Sequence, residues 1–465
     1  MTNKTTNNFK MVHSKRFDDL LTIVLCAPLV LSAWRKLMPG MPAQYEALEF
    51  VLVLLLFIYS LLFHQGSRPL HLFSIFAIGC LIACYAFSLL VSFQYGAKFV
   101  AVTFIARMVP LLMIFVATKP VNLQHVLHRV VAFYILGAAI MIPFGIYGSN
   151  KGFDALPTLM APTEVFIEKG KTGRAATGGV VQVYFGVFYS NVVASWTCFS
   201  FGVLCLFMIE KSLESRKAIP KRYLIGYAMA LILCLLFVKR LPTLALLGTG
   251  LFTGFRLIGS SKNIRILLLQ GGILIFAYII FSYVGSGEEN SDRDNIIDGW
   301  IATLSDALVS YPFEIIEMTQ GIVKGVLSNS WLPAGLGVAG PEGRYILSSS
   351  SAVESGMPLL FKEMGIFFAT ISTISLVFFI VLYTLLWLSP YRPLLLFVFV
   401  IIISFLLKEI DVLCGPYFQI ILFWYCVGFL GTQVHPLARA QAHRMKMGLR
   451  FGRMSKQNPK PIYPR

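Results

Sequence analysis

Lys239 and Arg240 stand side by side in "FVKRLPTLALL" (residues 237–247), between two apolar runs, with Pro242 two positions on. A charged side chain at bilayer depth costs roughly 3 kcal/mol on insertion scales, so such a pair sits at a boundary or serves a ligand. Pro242 suits the first position of a helix, where its missing N–H is no loss. The expected helix then turns its N-terminus, with free N–H groups and a partial positive charge, towards two cations. That combination binds phosphate. Snorkelling of two long side chains to interfacial water is the plainer use of the same pair.

Other charges could converge on the same chemistry. Arg174 in "KGKTGRAATGG" is flanked by glycines and small residues that let backbone approach a ligand, and Lys169 and Lys171 lie just upstream. Solvated loop charges would look the same. Arg107 in "TFIARMVPLLM" is different, because it falls near the middle of an apolar segment. An intramembrane arginine marks a functional site or is balanced by a buried acid; Glu409 and Asp411 are the partners considered for it. Glu354, in "SSSSAVESGMPLLFKEMG", lies where a polar loop meets an apolar run, with Glu363 nine residues further. A carboxylate at such a junction can be desolvated enough to act as a base, although acids also favour first helical turns. Glu314, Glu317 and Glu342 lie further back in the same long loop. Gly335 and Gly337 in "PAGLGVAGPEG" have neither a preceding strand nor a following GK[ST], so no nucleotide loop is indicated. A tight, ligand-facing turn is expected there, with Arg344 just beyond it.

The elements that must hold these residues are transmembrane helices. The chain has 465 residues, 57% of them hydrophobic and 13% charged, against about 25% charged in soluble domains. Segments of about 17–25 apolar residues read as spans. About twelve are expected, at 18–34, 48–63, 70–92, 99–117, 130–148, 183–209, 223–238, 242–256, 266–284, 364–388, 393–407 and 412–430. The fold class is therefore an all-α polytopic membrane protein. One membrane domain (18–430) follows a short leader (1–17) without a signal-cleavage pattern and precedes a basic tail (431–465). Long outer segments at 149–182 and 285–357 interrupt it. Within the second, "IIDGWIATLSDALVSY" and "FEIIEMTQGIVKGVL" read as amphipathic surface helices.

With both termini on the cytoplasmic side, roughly 24 of the 39 Lys and Arg fall inside with about four acids, the positive-inside pattern. The net charge of +17 is thus explained by topology and anionic lipid rather than nucleic acid, since no base-reading module accompanies it. All seven histidines lie on expected inner segments or inner helix ends, so none is available as a base on the outer face. The eight cysteines fall inside expected spans and indicate neither a disulfide framework nor a metal site.

The chain resembles the O-antigen polymerase and O-antigen ligase superfamily of bacterial envelopes. The resemblance covers the spans, the cytoplasmic ends and the large outer loop before the tenth span. It rests locally on "GRAATGG", on "KRLPTLALL", and on "AGLGVAG" followed by "ESGMPLLFKEMGIFF". It implies glycosyl transfer on the outer face of the inner membrane, from a glycan on undecaprenyl diphosphate to a lipid-linked repeat unit, without metal, nucleotide sugar or other cofactor. The resemblance assigns phosphate binding to Arg240 and Arg174, acceptor activation to Glu354 and a supporting role to Glu363. Lys239, Lys171, Arg107, Arg344, Gly335 and Gly337 are expected around the same substrate. A chain-length-regulating envelope protein is a possible partner. Where the ligases carry a histidine this chain has Glu354, which favours a polymerase. A ligase moving finished glycan to another acceptor, and a transporter of lipid-linked sugars, remain alternatives.

Overall fold

The computed structural model describes residues 2–37, 47–63, 66–151, 156–157, 159–160, 166–167, 180–181, 186–188, 191–215, 218–237, 240–255, 331–347, 356–387, 389–407, 413 and 418–434. Among them the chain is almost entirely helical. In order come α1 (Thr2–Leu37), α2 (Ala47–Phe63), α3 (Leu72–Val91), α4 (Ala97–Thr103), α5 (Met113–Val116) and α6 (Leu123–Lys151). Then follow strands β1 (Phe166–Ile167) and β2 (Val180–Val181), and helices α7 (Asn191–Glu214), α8 (Lys221–Leu236), α9 (Arg240–Phe255), α10 (Pro341–Leu347), α11 (Gly356–Tyr383) and α12 (Arg392–Leu407). The last is α13 (Phe418–Val434). The strands form one antiparallel ladder, Phe166 opposite Val181.

Every expected apolar segment except 266–284, which lies outside the described residues, overlaps described helix, with 183–209 helical from Asn191 and 412–430 from Phe418. Six of the helices are long and apolar enough to cross a membrane, and shorter apolar helices accompany them. Helices suit that setting because each one satisfies its own backbone polar groups. Leu61, Leu62, Leu72, Phe76 and Leu90 are exposed, a surface that suits lipid rather than water. Residues 2–17 are helical and continuous with the first span in α1, and α13 carries the helical region four residues past the end expected for the last span.

At the centre lies α7, whose apolar window is 94% buried. It packs against α8, α9 and α12, while α3 packs along α11 and α1 along α2 and α6. Aromatic rings fill these seams, with Phe199 5.5 Å from Trp196 and 5.8 Å from Phe397.

The helices run between two ends. At the first, the Arg68 N–H donates to the Thr118 carbonyl and the His71 N–H to that of Gly431. Asn122 donates to Asp18, Arg129 pairs with Asp19, and the His128 ring meets the Tyr223 hydroxyl at 3.2 Å. Buried Arg392 lies 3.6 Å from buried Glu210 at the turn into α12. The described parts of the segments expected on the inner face are therefore neighbours in space. At the second end, Lys36 donates to the Gly186 carbonyl, and the Phe188 and Phe237 rings are 6.3 Å apart. α9 ends beside Trp387, at the first end; the chain is next described at Trp331, beside α11 at the second.

Two spans are broken there. The segment expected at 99–117 passes from α4 into a π-helical turn (Phe104–Met108), then a 3-10 turn (Val109–Leu112), then α5. Pro110 enforces the change, having no N–H for the regular ladder. In α11, Gly365 breaks the ladder with φ +69° and ψ 170°. Any side chain at Gly365 would be strained at this φ, and its Cβ would lie 2.6 Å from the Trp331 carbonyl oxygen. Gly365→Ala is expected to destabilise the protein by about 1–3 kcal/mol, read as a shifted unfolding midpoint in detergent. A shift within about 0.5 kcal/mol, the size of an ordinary surface substitution, would show that the kink is dispensable.

Candidate functional site

Into this broken region the chain inserts a non-helical loop, residues 331–340, followed by α10. Irregular backbone survives among spans only where protein or a polar cavity surrounds it, and from Pro333 to Gly340 protein does, while Trp331 and Leu332 are exposed. The Leu336 N–H donates to the Ser88 carbonyl and the Gly335 N–H to the Glu363 carbonyl, both at 3.0 Å. The second bond uses a carbonyl in the turn broken at Gly365. The Ser92 hydroxyl donates to the Leu336 carbonyl and the Gln94 amide to that of Ala334. Leu336 is fully buried.

Beneath the loop lies Arg107, ten residues into its span, or about 15 Å at 1.5 Å per residue. The π turn carries it; such irregular turns often occur at functional sites. Its Nε and Nη2 donate to the two carboxylate oxygens of Glu342, at 2.9 and 3.0 Å. The Glu363 carboxylate lies 4.0 Å from Nη2. All three side chains are buried. Charges taken from water need partners with good geometry, and the fork of a guanidinium on a carboxylate supplies it. The N–H groups of Gly337 and Ala339 are directed at Glu363. They stop short of hydrogen-bond geometry, for neither oxygen of Glu363 has a hydrogen-bond partner among the described residues. Ser88 Oγ and Thr103 Oγ1 nearby share that state.

Arg107 thus has Glu342 and Glu363 as partners, where Glu409 and Asp411 had been considered; those two lie outside the described residues. Sequence reasoning named Glu342 among the outer carboxylates but not as the partner of Arg107. The available signal was an acid in the first turn of a helix started by Pro341, just past a glycine loop. The glycines lie close to neighbouring side chains. A Cβ on Gly335 would lie 3.0 Å from Ser92 Oγ, and one on Gly337 would lie 2.6 Å from Thr103 Oγ1. These positions pack against the turn that follows α3 and against α4.

Arg107, Glu363, Gly335 and Gly337 are therefore brought together. Arg240 begins α9, whose Thr243 hydroxyl donates to the Cys234 carbonyl at 3.1 Å and so ties it to the end of α8. That is the second end of the bundle. Pro242 is the third helical residue rather than the first, still within the turn whose N–H groups lack helical acceptors. Arg344 belongs to α10. Lys239, Lys171, Arg174 and Glu354 lie outside the described residues. In sequence, "KGKTGRAATGG" falls between β1 and β2, and Glu354 two residues before α11. No group of metal-ligating side chains occurs among the described residues.

No known protein-family model matches the chain, and no curated protein matches it in sequence.

Proposed function

We propose that the protein is a polysaccharide polymerase of a bacterial inner membrane, with about twelve spans and both termini cytoplasmic. It joins repeat units carried on undecaprenyl diphosphate. The reading rests on one observation. The N-terminus of α9, beginning at Arg240, opens at the same end of the bundle as the buried glycine loop beside α11. The end that gathers the basic inner segments is the opposite one, as the positive-inside rule asks of a site on the outer face.

In the reaction, an acceptor sugar hydroxyl attacks the anomeric carbon of the donor glycan. The bond from that carbon to the diphosphate oxygen breaks, and the hydroxyl proton passes to a base, for which Glu354 is proposed. Direct displacement inverts the anomeric centre. Charge develops on the leaving diphosphate, where fixed cations and helix N–H groups lower the barrier. Arg240 carries that role, and Lys239, Arg174 and Lys171 are proposed to share it. Alignment of hydroxyl and anomeric carbon supplies much of the remaining advantage.

A deletion strain complemented at matched expression tests the proposal. Wild type should restore long polymer, and Glu354→Ala should leave single repeat units. Long lipid-linked polymer accumulating unattached in the deletion strain would make the protein a ligase. Repeat units trapped on the inner face would make it a transporter.

A further inference from the structure

Resting on that reading, we propose that Arg107, Glu342 and Glu363 are positioning residues. They form an ionic lock that holds the glycine loop in register and act through it, not on the lipid diphosphate. Three observations converge. Both guanidinium hydrogen bonds described for Arg107 go to Glu342, on the short helix directly after the loop. Glu363 lies on α11 and joins the loop to the fourth span, its carbonyl accepting from the Gly335 N–H and its carboxylate lying 4.0 Å from Arg107. The loop backbone closes directly over the ions. A Cβ placed on Gly340 would lie 2.3 Å from Nη2 of Arg107, 2.8 Å from Oε2 of Glu342 and 3.1 Å from Oε1 of Glu363.

Four elements therefore meet at one point: the π turn of the fourth span, the loop, α10 and α11. Apart from the ions, the loop is held by hydrogen bonds to Ser88, Ser92, Gln94, Gly343 and Glu363. A guanidinium already engaged by a bidentate carboxylate is poorly disposed to bind diphosphate as well. The buried charges are better explained by register, a role for which buried ionic groups are retained in some proteins.

The test uses Ala339→Cys as a reporter, since Ala339 is buried within the loop. Labelling by a water-soluble maleimide is counted above that of the chain without the reporter. The lock predicts slow labelling in the parent. It predicts acceleration of about tenfold or more in Arg107→Lys, which keeps the charge but loses the fork, and in Glu342→Gln. In a polymerisation assay the same variants should lose turnover by about tenfold or more, with the KM for the lipid-linked donor within about twofold. The exchange of Arg107→Glu with Glu342→Arg should bring labelling back towards the parent rate and recover part of the turnover. It also keeps the test alive if a single variant does not fold. Unchanged labelling in Arg107→Lys would overturn the lock. So would a raised KM at parent turnover, which would place Arg107 on the substrate. Should the parent make no polymer, the polymerase reading falls, and the labelling result still decides the lock.

Discussion

Arg107→Ala is expected to destabilise the folded protein by about 3–5 kcal/mol, because it leaves two buried carboxylates with no counter-charge. The loss should appear as a lower midpoint in denaturant titration of the purified protein in detergent. Its size comes from the acids left behind rather than from the pair's own net worth. The combination of Arg107→Met with Glu342→Leu and Glu363→Leu should therefore be less damaging than Arg107→Ala alone, since apolar replacement of a whole buried ion group is often neutral or stabilising. A single-alanine loss no larger than that of a surface alanine variant would mean the cluster is solvated. A triple variant worse than the single would mean that geometry, not uncompensated charge, dominates.

Arg240→Ala is expected to lower the rate of polymer formation by about 10²–10³, the typical effect of removing one donor that stabilises developing negative charge. Stability should barely change, because Arg240 starts a helix whose apolar residues make its packing contacts. Arg240→Lys should recover part of the rate, since a point charge still serves a phosphate, though without the bidentate fork. Full activity in Arg240→Ala would reduce the Lys239–Arg240 pair to interfacial anchors.

The contrast between these two arginines shows what the sequence could reveal. Span positions were legible because lipid-facing helices need long uniform apolar runs, and α2, α3, α6 and α12 lie where hydropathy puts them. The start of α9 was legible within two residues because Pro242 and the cations mark it. Arg107 was recognisable as a residue in need of a partner because a charge in an apolar run has to be balanced. Its partner was not legible. Glu342 lies 235 positions away in sequence, and pairing across such a distance depends on how the loop folds back among the helices. The neighbours of the glycines were not legible for a related reason. A glycine needed for close approach to another helix and one needed for a ligand look alike until the neighbour is known, and here the neighbours are Ser92 and Thr103. The breaks at Pro110 and Gly365 were each visible as a residue type. Only packing shows that both open onto the same buried loop.

The most direct test of the central claim is reconstitution of the purified protein in liposomes with an undecaprenyl-diphosphate-linked repeat unit and no metal or nucleotide sugar. The proposed function predicts a ladder of lipid-linked polymer with release of undecaprenyl diphosphate. It also predicts loss of the ladder in Arg240→Ala. Lipid-linked units that cross the bilayer without elongation, or that stay unchanged on both faces, would contradict it.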